Sequence, residues 1–415
     1  MPDIEVDIDF APGLKRVGTL HRHVRRGREA ISFEYHSTWL EDAACFSLEP
    51  ALSLGRGAFV PADGLQIFGS IGDSAPDTWG RRLMQRAERR RAEREGRAVR
   101  SLQEVDYLVG VSDVSRLGAL RFRNAGEEIF QSPTSAGVPS LVDLGRLLQI
   151  TERILRDEET DEDLQVIFAP SSSLGGARPK TSVIDQHGHL SIAKFPKETD
   201  DYSIELWESV ALALAKRAAI RTPDHELIRV AGRPVMLSRR FDRAPGTRVP
   251  FLSALSMLGL KDGERGSYPE LVDVLTLHGA RASTDARELY RRMVLNVLIS
   301  NVDDHLRNHG FLWAGRQGWV LSPVYDLNPT PTDVRPRILT TNISLDEATC
   351  DLDLVLSTGE FFGLGLKEAK AIAKDVSTVT STWRQVAATA GAPQNEIRRL
   401  SSAFEHNDLT RALAL

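Results

Sequence analysis

The sequence is short of cysteine. Only Cys45 and Cys350 occur in 415 residues, far apart and in no C-x-x-C spacing. That excludes a disulfide scaffold and a cysteine-based zinc site, and it suits a reducing compartment. Long apolar runs are also missing, since no stretch approaches the roughly 18 uncharged apolar residues of a membrane span. The start, Met1-Pro-Asp-Ile-Glu5, lacks the basic-then-apolar pattern of a secretory leader. The expectation is a cytoplasmic protein with no membrane partner. Positive charge is not in excess either. Against 57 Asp and Glu stand 52 Lys and Arg, a formal charge of −5, which excludes a uniformly basic nucleic-acid coat but allows local patches. What remains is the balance of an ordinary globular chain, 41% hydrophobic and 26% charged. At about 150 residues per domain, its length predicts two or three domains.

Three textures divide the chain near residues 140 and 265. The first mixes short alternating runs with an Arg-heavy stretch, Asp77 to Arg100, that reads as helix. Arg81 to Arg100 holds nine Arg against Glu88, Glu93 and Glu95. Such a cluster could touch DNA or an acidic partner; the plainer reading is a solvated helix face. Gly, Ser, Pro and Thr over Ala125 to Pro139 suggest a linker. Leu141 to Leu155 is periodic at helical spacing. In the middle region, Thr181–Ile184 and Leu190–Phe195 read as strands joined by a hairpin at Asp185-Gln-His-Gly-His189. Apolar residues from Ile204 to Ala218 recur at three and four, which predicts an amphipathic helix over 201–220. Leu227–Val230 and Pro234–Leu237 form a further strand pair. From Tyr268 onward helices dominate, apart from one hairpin, Gly310 to Leu321. Arg281, Arg287, Arg291 and Arg292 read as helix-surface residues or as groove contacts for a protein substrate.

Four polar features follow one another. Ser171-Ser-Ser-Leu-Gly-Gly-Ala-Arg-Pro-Lys180 carries Gly175 and Gly176, which let a backbone approach an anion, with Arg178 and Lys180 adding positive charge. Lys194 ends a strand face begun by Leu190 and Ile192, and a lysine there needs a counter-charge. Asn301-Val-Asp-Asp-His-Leu-Arg-Asn308 follows an apolar helix, with Asp303 and Asn308 at the interval that protein kinases use between catalytic Asp and metal-binding Asn. Asp326 lies 18 residues beyond Asn308, after a hairpin, where such kinases keep their second metal ligand. A two-histidine metal site at His305 and His309 is the rival reading, but no Glu follows His305 as H-E-x-x-H requires.

Ser173-Leu-Gly-Gly-Ala-Arg-Pro-Lys180, Ala193-Lys-Phe-Pro196, Arg239-Arg-Phe-Asp-Arg243, Asn301-x-Asp-x-His-x-Arg-Asn308 and Pro323-Val-Tyr-Asp326 together resemble the motifs of the HipA family, serine/threonine kinases that act as toxins of type II toxin–antitoxin systems. Val17-Gly-Thr-Leu20, Asp77-Thr-Trp-Gly-Arg81 and Leu117-Gly-Ala-Leu-Arg-Phe122 are similar to that family's N-terminal subdomain. The resemblance implies an α+β, protein-kinase-like two-lobe fold. Residues 1–140 would form a mixed N-terminal subdomain, 141–265 an N-lobe-like region and 266–415 a helical C-lobe. It implies ATP and Mg²⁺, with Asp303 as base and His305 buttressing its loop. Asn308 and Asp326 would hold the metal. ATP would meet Ser173, Gly175, Gly176, Ala177, Arg178, Lys180, Lys194, Arg239, Arg240, Phe241 and Tyr325. Ser173, with Ser171 and Ser172 as neighbouring candidates, would be autophosphorylated. The partner of Lys194 would be Glu205 or Glu208, and Arg307 replaces an expected Lys. The implied partners are a small helix-turn-helix antitoxin (HipB-like) on operator DNA and a protein substrate, for instance an aminoacyl-tRNA synthetase. Two other readings use the same residues: a small-molecule phosphotransferase, and a non-catalytic regulator acting with an antitoxin.

Overall fold

A computed structural model describes residues 3–11, 13–25, 27–132, 137–168 and 178–415. It divides into two compact units. The first comprises Met1–Glu198, Arg229–Arg233 and Leu237–Leu252; the second comprises Thr199–Ile228, Pro234–Met236 and Ser253–Leu415.

The first unit opens with β1 (Ile4–Phe10), β2 (Gly13–Arg25), β3 (Arg28–Tyr35), β4 (Ala58–Phe59) and β5 (Leu120–Asn124), in the sheet order β4-β3-β2-β1-β5. Alternation sends Ile4, Val6, Ile8 and Phe10 of β1 into the core. On the opposite face Asp7, 2% exposed, is met by Arg16 Nε at 2.8 Å and Arg123 Nε at 3.2 Å. Gly18 on β2 is a packing requirement, because a Cβ there would lie 2.3 Å from the Glu34 carbonyl oxygen and 2.5 Å from the Phe33 ring.

The Arg-heavy stretch is α1 (Thr78–Arg94), ending six residues before the expected Arg100, and α2 (Glu104–Val109) follows it. Asp77 caps α1, its Oδ1 accepting the Gly80 N–H at 2.7 Å. Trp79 and Leu83 of α1 pack on Ile150 and Ile154 of α3 (Leu144–Leu155) and on Leu164 and Ile167 of α4 (Asp161–Phe168). The outer face is neutralised from within the unit. Arg81 forks onto Glu104 at 2.7 and 2.6 Å, Arg86 pairs with Asp157 and Glu159, Arg94 with Asp161, Arg91 with Glu95 and Arg97 with Glu88. The helix therefore reads as an internally paired surface.

The expected hairpin is present as β6 (Lys180–Ile184) and β7 (Leu190–Lys194), and a four-stranded sheet has the order β6-β7-β9-β8, with β8 (His225–Val230) and β9 (Arg233–Arg239). Asp185 shapes the turn by accepting the His187 and His189 N–H groups at 2.8 and 2.9 Å. Past β9, the buried Asp242 accepts Arg240 at 2.6 and 2.5 Å, Arg243 at 2.7 Å and the Gly118 N–H at 2.7 Å.

The second unit carries α5 (Ile204–Arg217), α6 (Tyr268–His278) and α7 (Ala282–Leu298), then a hairpin of β10 (Gly310–Trp313) and β11 (Trp319–Leu321). Ser203 caps α5 through the Leu206 N–H at 3.3 Å. The hairpin turn needs Gly318, at φ +110°, where a Cβ would fall 2.3 Å from the His278 carbonyl oxygen. Helices α8 (Leu366–Thr380) and α9 (Trp383–Thr389) follow. Trp383 stacks on Phe404 at 4.5 Å and lies 6.1 Å from Trp207 of α5. Arg292 is a correction to the expected surface cluster. It is 2% exposed, pairs with Glu288 and donates to the Ser322 carbonyl at 2.6 Å, because α7 is buried throughout Arg292–Leu298. Among the described residues no helix is long and apolar enough to cross a membrane.

Replacing Asp242 by Ala should cost about 3–5 kcal/mol, since it strands buried guanidinium groups; the urea midpoint of unfolding reads this. Glu88 supplies a pH test. The Arg97 hydrogen bond holds its carboxyl at about 2, below the ordinary 4.5. Its stabilisation is complete above pH 4.5 and is lost as pH falls toward 2. Glu88→Gln should therefore flatten that part of the acid-unfolding curve.

Candidate active site

Helix α7 delivers the polar stretch from a rigid base, its Met293, Val294, Leu295, Val297 and Leu298 being buried. It stops at Ser300, whose φ of 51° is left-handed and incompatible with continuing the helix. The next residues form a loop, closed by a 3₁₀ turn over Leu306–Asn308 with His305 at its start. His305 and His309 therefore do not share an α-helical face. His305 is half-buried, whereas His309 is 4% exposed and packs edge-on to Tyr268 at 5.4 Å. Burial pushes the His309 imidazole down to about 3, so it is neutral, and the two-histidine reading has no geometric basis.

The two adjacent aspartates have opposite surroundings. The Asp303 side chain is 52% exposed and meets Arg335 Nη1 at 3.1 Å. Asp304 is 1% exposed, and burial pushes its carboxyl up to about 7 against the pull of four donors. Asn308 is buried. Its Nδ2 donates to the Asp303 carbonyl at 2.9 Å, which orients Oδ1 as the acceptor atom of the amide.

Asp326 belongs to a second segment, which two hydrogen bonds tie to this loop. Tyr325 Oη donates to the Arg307 carbonyl at 2.7 Å, and the Asn328 N–H donates to Asn301 Oδ1 at 3.0 Å. Asn301 is fixed in turn by its Nδ2 bond to Asn296 Oδ1 at 3.0 Å. The residues beside Asn308 and Asp326 are thus in direct contact. Asp326 has a left-handed φ of 55°, and its N–H donates to Glu208 Oε1 at 3.1 Å. Glu208, one of two expected lysine partners, is 3% exposed on α5, as is Glu205 at 1%. Arg307 forks onto Asp262 at 2.7 and 3.0 Å.

In the first unit, Lys194 ends β7 half-buried, and its register partner across the hairpin is Lys180. Two facing ammonium groups repel. Lys180 is 5% exposed and committed to Asp77 at 3.1 Å, so the carboxylate that caps α1 offsets that repulsion. Arg240 is likewise committed, to Asp242 and to the Ser115 and Arg116 carbonyls at 2.8 and 3.1 Å. Arg178, Arg239 and Phe241 are half-buried, and the Phe241 ring lies 6.3 Å from that of Phe251. Ser171, Ser172, Ser173, Gly175, Gly176 and Ala177 lie outside the described residues.

Asn308 and Asp326 offer an amide and a carboxylate oxygen. That donor set fits Mg²⁺, which takes one or two carboxylates and fills its remaining positions with water and substrate phosphates. Sequence reasoning missed Arg335, Asp304 and the Glu208 contact with Asp326. The only signal for Asp304 was its place beside Asp303.

A family model described as the HipA-like C-terminal domain matches residues 172–389, over half of the chain. The chain belongs to the HipA-like family. The HipA-like fold extends beyond that domain. Shewanella oneidensis MR-1 HipA, solved with HipB and operator DNA, superposes with a TM-score of 0.64 at 16% identity, covering 99% of this chain and 96% of that one. The expected α+β, kinase-like architecture is therefore correct. Two curated relatives are a Sinorhizobium fredii protein named "Putative kinase Y4dM" and a Haemophilus influenzae protein named "Putative kinase". The first is 28% identical over 138 residues, 30% of this chain and 33% of the relative; the second is 23% identical over 178 residues, 37% and 51% respectively. The chain spans a third to a half of the length of these relatives.

Glu208→Ala should leave the Asp326 N–H unsatisfied and cost about 1–3 kcal/mol, seen as a lowered thermal midpoint.

Proposed function

We propose that this HipA-like chain is an ATP-dependent serine/threonine-protein kinase and the toxin of a type II toxin–antitoxin pair. The observation that carries the reading is the tie between Tyr325 and the Arg307 carbonyl, which joins the neighbours of two oxygen ligands five and 23 residues past an exposed aspartate. Phosphoryl transfer asks a protein for positioning and charge neutralisation, with little covalent work. Asp303 is the base that orients and deprotonates the substrate hydroxyl. It is the solvent-facing member of the Asp303–Asp304 pair, so a protein side chain can reach it. Asn308 and Asp326 hold Mg²⁺, which when bound offsets phosphate charge. His305 opens the 3₁₀ turn that presents Asn308, its carbonyl accepting the Asn308 N–H at 2.7 Å.

Lys194 contacts the α- and β-phosphates, assisted by Arg178, while Arg239, Phe241 and Tyr325 border the nucleotide. Lys180 and Arg240 support the site through their ion pairs. Ser173, or its neighbour Ser171, takes a phosphate from the chain's own ATP, and the added charge turns ATP away from the loop. A HipB-like helix-turn-helix antitoxin on operator DNA is the proposed partner. The complex of Shewanella HipA with HipB and operator DNA supports that choice. An aminoacyl-tRNA synthetase is a candidate substrate.

The test is intact-mass spectrometry after incubation with Mg-ATP. The wild-type chain should gain one phosphate mapped to 171–173, and Asp303→Asn should slow the gain by at least about 10²-fold, the share of a general base. Equal gain in both chains would remove Asp303 from the mechanism. Transfer to a metabolite and not to protein would favour the small-molecule phosphotransferase.

A further inference from the structure

Asp304 lies one residue from the proposed base but cannot share its work. A carboxylate has about four acceptor positions, and here four donors take them. Oδ2 accepts Tyr268 Oη at 2.6 Å and Asn296 Nδ2 at 3.3 Å; Oδ1 accepts the Thr340 and Thr341 N–H groups at 3.1 and 3.2 Å. With 1% exposure, it has neither a path to a substrate hydroxyl nor a place to accept its proton. Its donors come from three separate places: Tyr268 opens α6, Asn296 sits in the last turn of α7, and Thr340 and Thr341 lie at a bend in the irregular chain beyond the Asp326 segment.

The threonines return the contact. Thr340 Oγ1 donates to the Val302 carbonyl at 2.9 Å and Thr341 Oγ1 to the Asp304 carbonyl at 2.6 Å. The same stretch carries Arg335, which meets Asp303, and Arg337, which is anchored on Asp408 at 2.6 Å. Further toward its start, the Thr332 N–H donates to Ser402 Oγ at 3.2 Å and Asp333 pairs with Arg399 at 2.7 Å. The chain from 332 to 341 is thus pinned at one end to the C-terminal helices and at the other to the loop that bears Asp303 and Asn308.

We infer that Asp304 is a positioning residue for phosphoryl transfer: a buried clamp that fixes the Asp303–Asn308 loop to α6, α7 and the Arg335-bearing segment. This rests on the kinase reading above. The clamp sets where the Asp303 carboxylate stands relative to the ligand atoms of Asn308, and a displacement of about 1 Å in such a group costs on the order of 10²-fold in rate. Asp304→Asn keeps the shape but turns one acceptor into a donor, so either the Tyr268–Asn296 side or the Thr340–Thr341 side faces a donor against a donor.

The experiment uses the full chain with Mg-ATP and follows phosphate incorporation into the chain itself over a range of ATP concentrations. Hydrogen exchange of the same samples is followed by mass spectrometry. Asp304→Asn should lower kcat by roughly 10- to 100-fold with the KM for ATP within about twofold. Exchange should quicken in 301–308 and 340–341 while 282–298 stays protected. Tyr268→Phe, which removes one donor and leaves the charge, should give the same exchange signature with a loss of about three- to tenfold in kcat, and it stands in if Asp304→Asn does not fold. Both variants turning over as wild type, or a loss of rate that tracks loss of protection throughout 282–298, would overturn the inference. A wild-type chain that takes up no phosphate would instead sink the kinase reading, and faster exchange confined to the clamp would still uphold the anchoring of the loop by Asp304.

Discussion

The second unit depends on ending an apolar helix in a polar loop whose side-chain amides and buried carboxylate are held by hydrogen bonds. An unsatisfied buried donor or acceptor costs about 1–3 kcal/mol, so a loop of Asn, Asp, Asp and His at the edge of a core is held by the groups that answer its amides and its buried carboxylate. Here Asn296 answers Asn301, Asn301 answers the main chain at Asn328, and Asn308 answers the main chain at Asp303. The side chain left facing solvent is Asp303, with Arg335 beside it. An exposed carboxylate on a loop whose Asn301 and Asn308 amides are held by hydrogen bonds is the arrangement the proposed general base needs. It follows from satisfying the neighbours first.

Charge in the first unit obeys the same rule. The sequence concentrates arginine at 81–100, yet the carboxylates of Glu104, Asp157, Glu159 and Asp161 return to the helix from later in the chain. Lys180 and Arg240 stood in motifs that suggested nucleotide contact, and both are held by carboxylates of their own unit, Asp77 and Asp242. A basic motif in sequence therefore reports a cation and does not report its partner. Lys194, facing Lys180 across the hairpin, inherits a local field already partly offset.

Where local chemistry decides the conformation, the sequence was readable. The Asp185–His189 turn, the α5 periodicity and the Gly310–Leu321 hairpin follow from turn residues and apolar spacing, and the structure has all three. The 13-residue strand β2 was not legible, because Arg16 and Arg22 interrupt its alternation and are matched only across the sheet, by Asp7 and Glu29. At the site, the five-residue interval from Asp303 to Asn308 could be read, since it is a local spacing. The contrast in burial between Asp303 and Asp304 could not, because the partners of Asp304 are Tyr268, Asn296 and Thr340, distant in the chain. The surface reading of Arg292 failed for a related reason. The apolar residues around Arg292 mark the second half of α7, which is buried from Arg292 to Leu298, and a charged residue there is carried inward with its partner.

The left-handed backbone at Asp326 bears on how that position can be interrogated. Among residues with a β-carbon, Asp and Asn enter this region at least cost, because their short polar side chains can bond locally. Alanine scanning there would blend two losses, the carboxylate and the ease of holding φ at 55°. An asparagine keeps the main-chain habit and removes only the charge. The same constraint narrows the residues that can occupy position 326 during divergence to a handful, whatever chemistry a descendant performs.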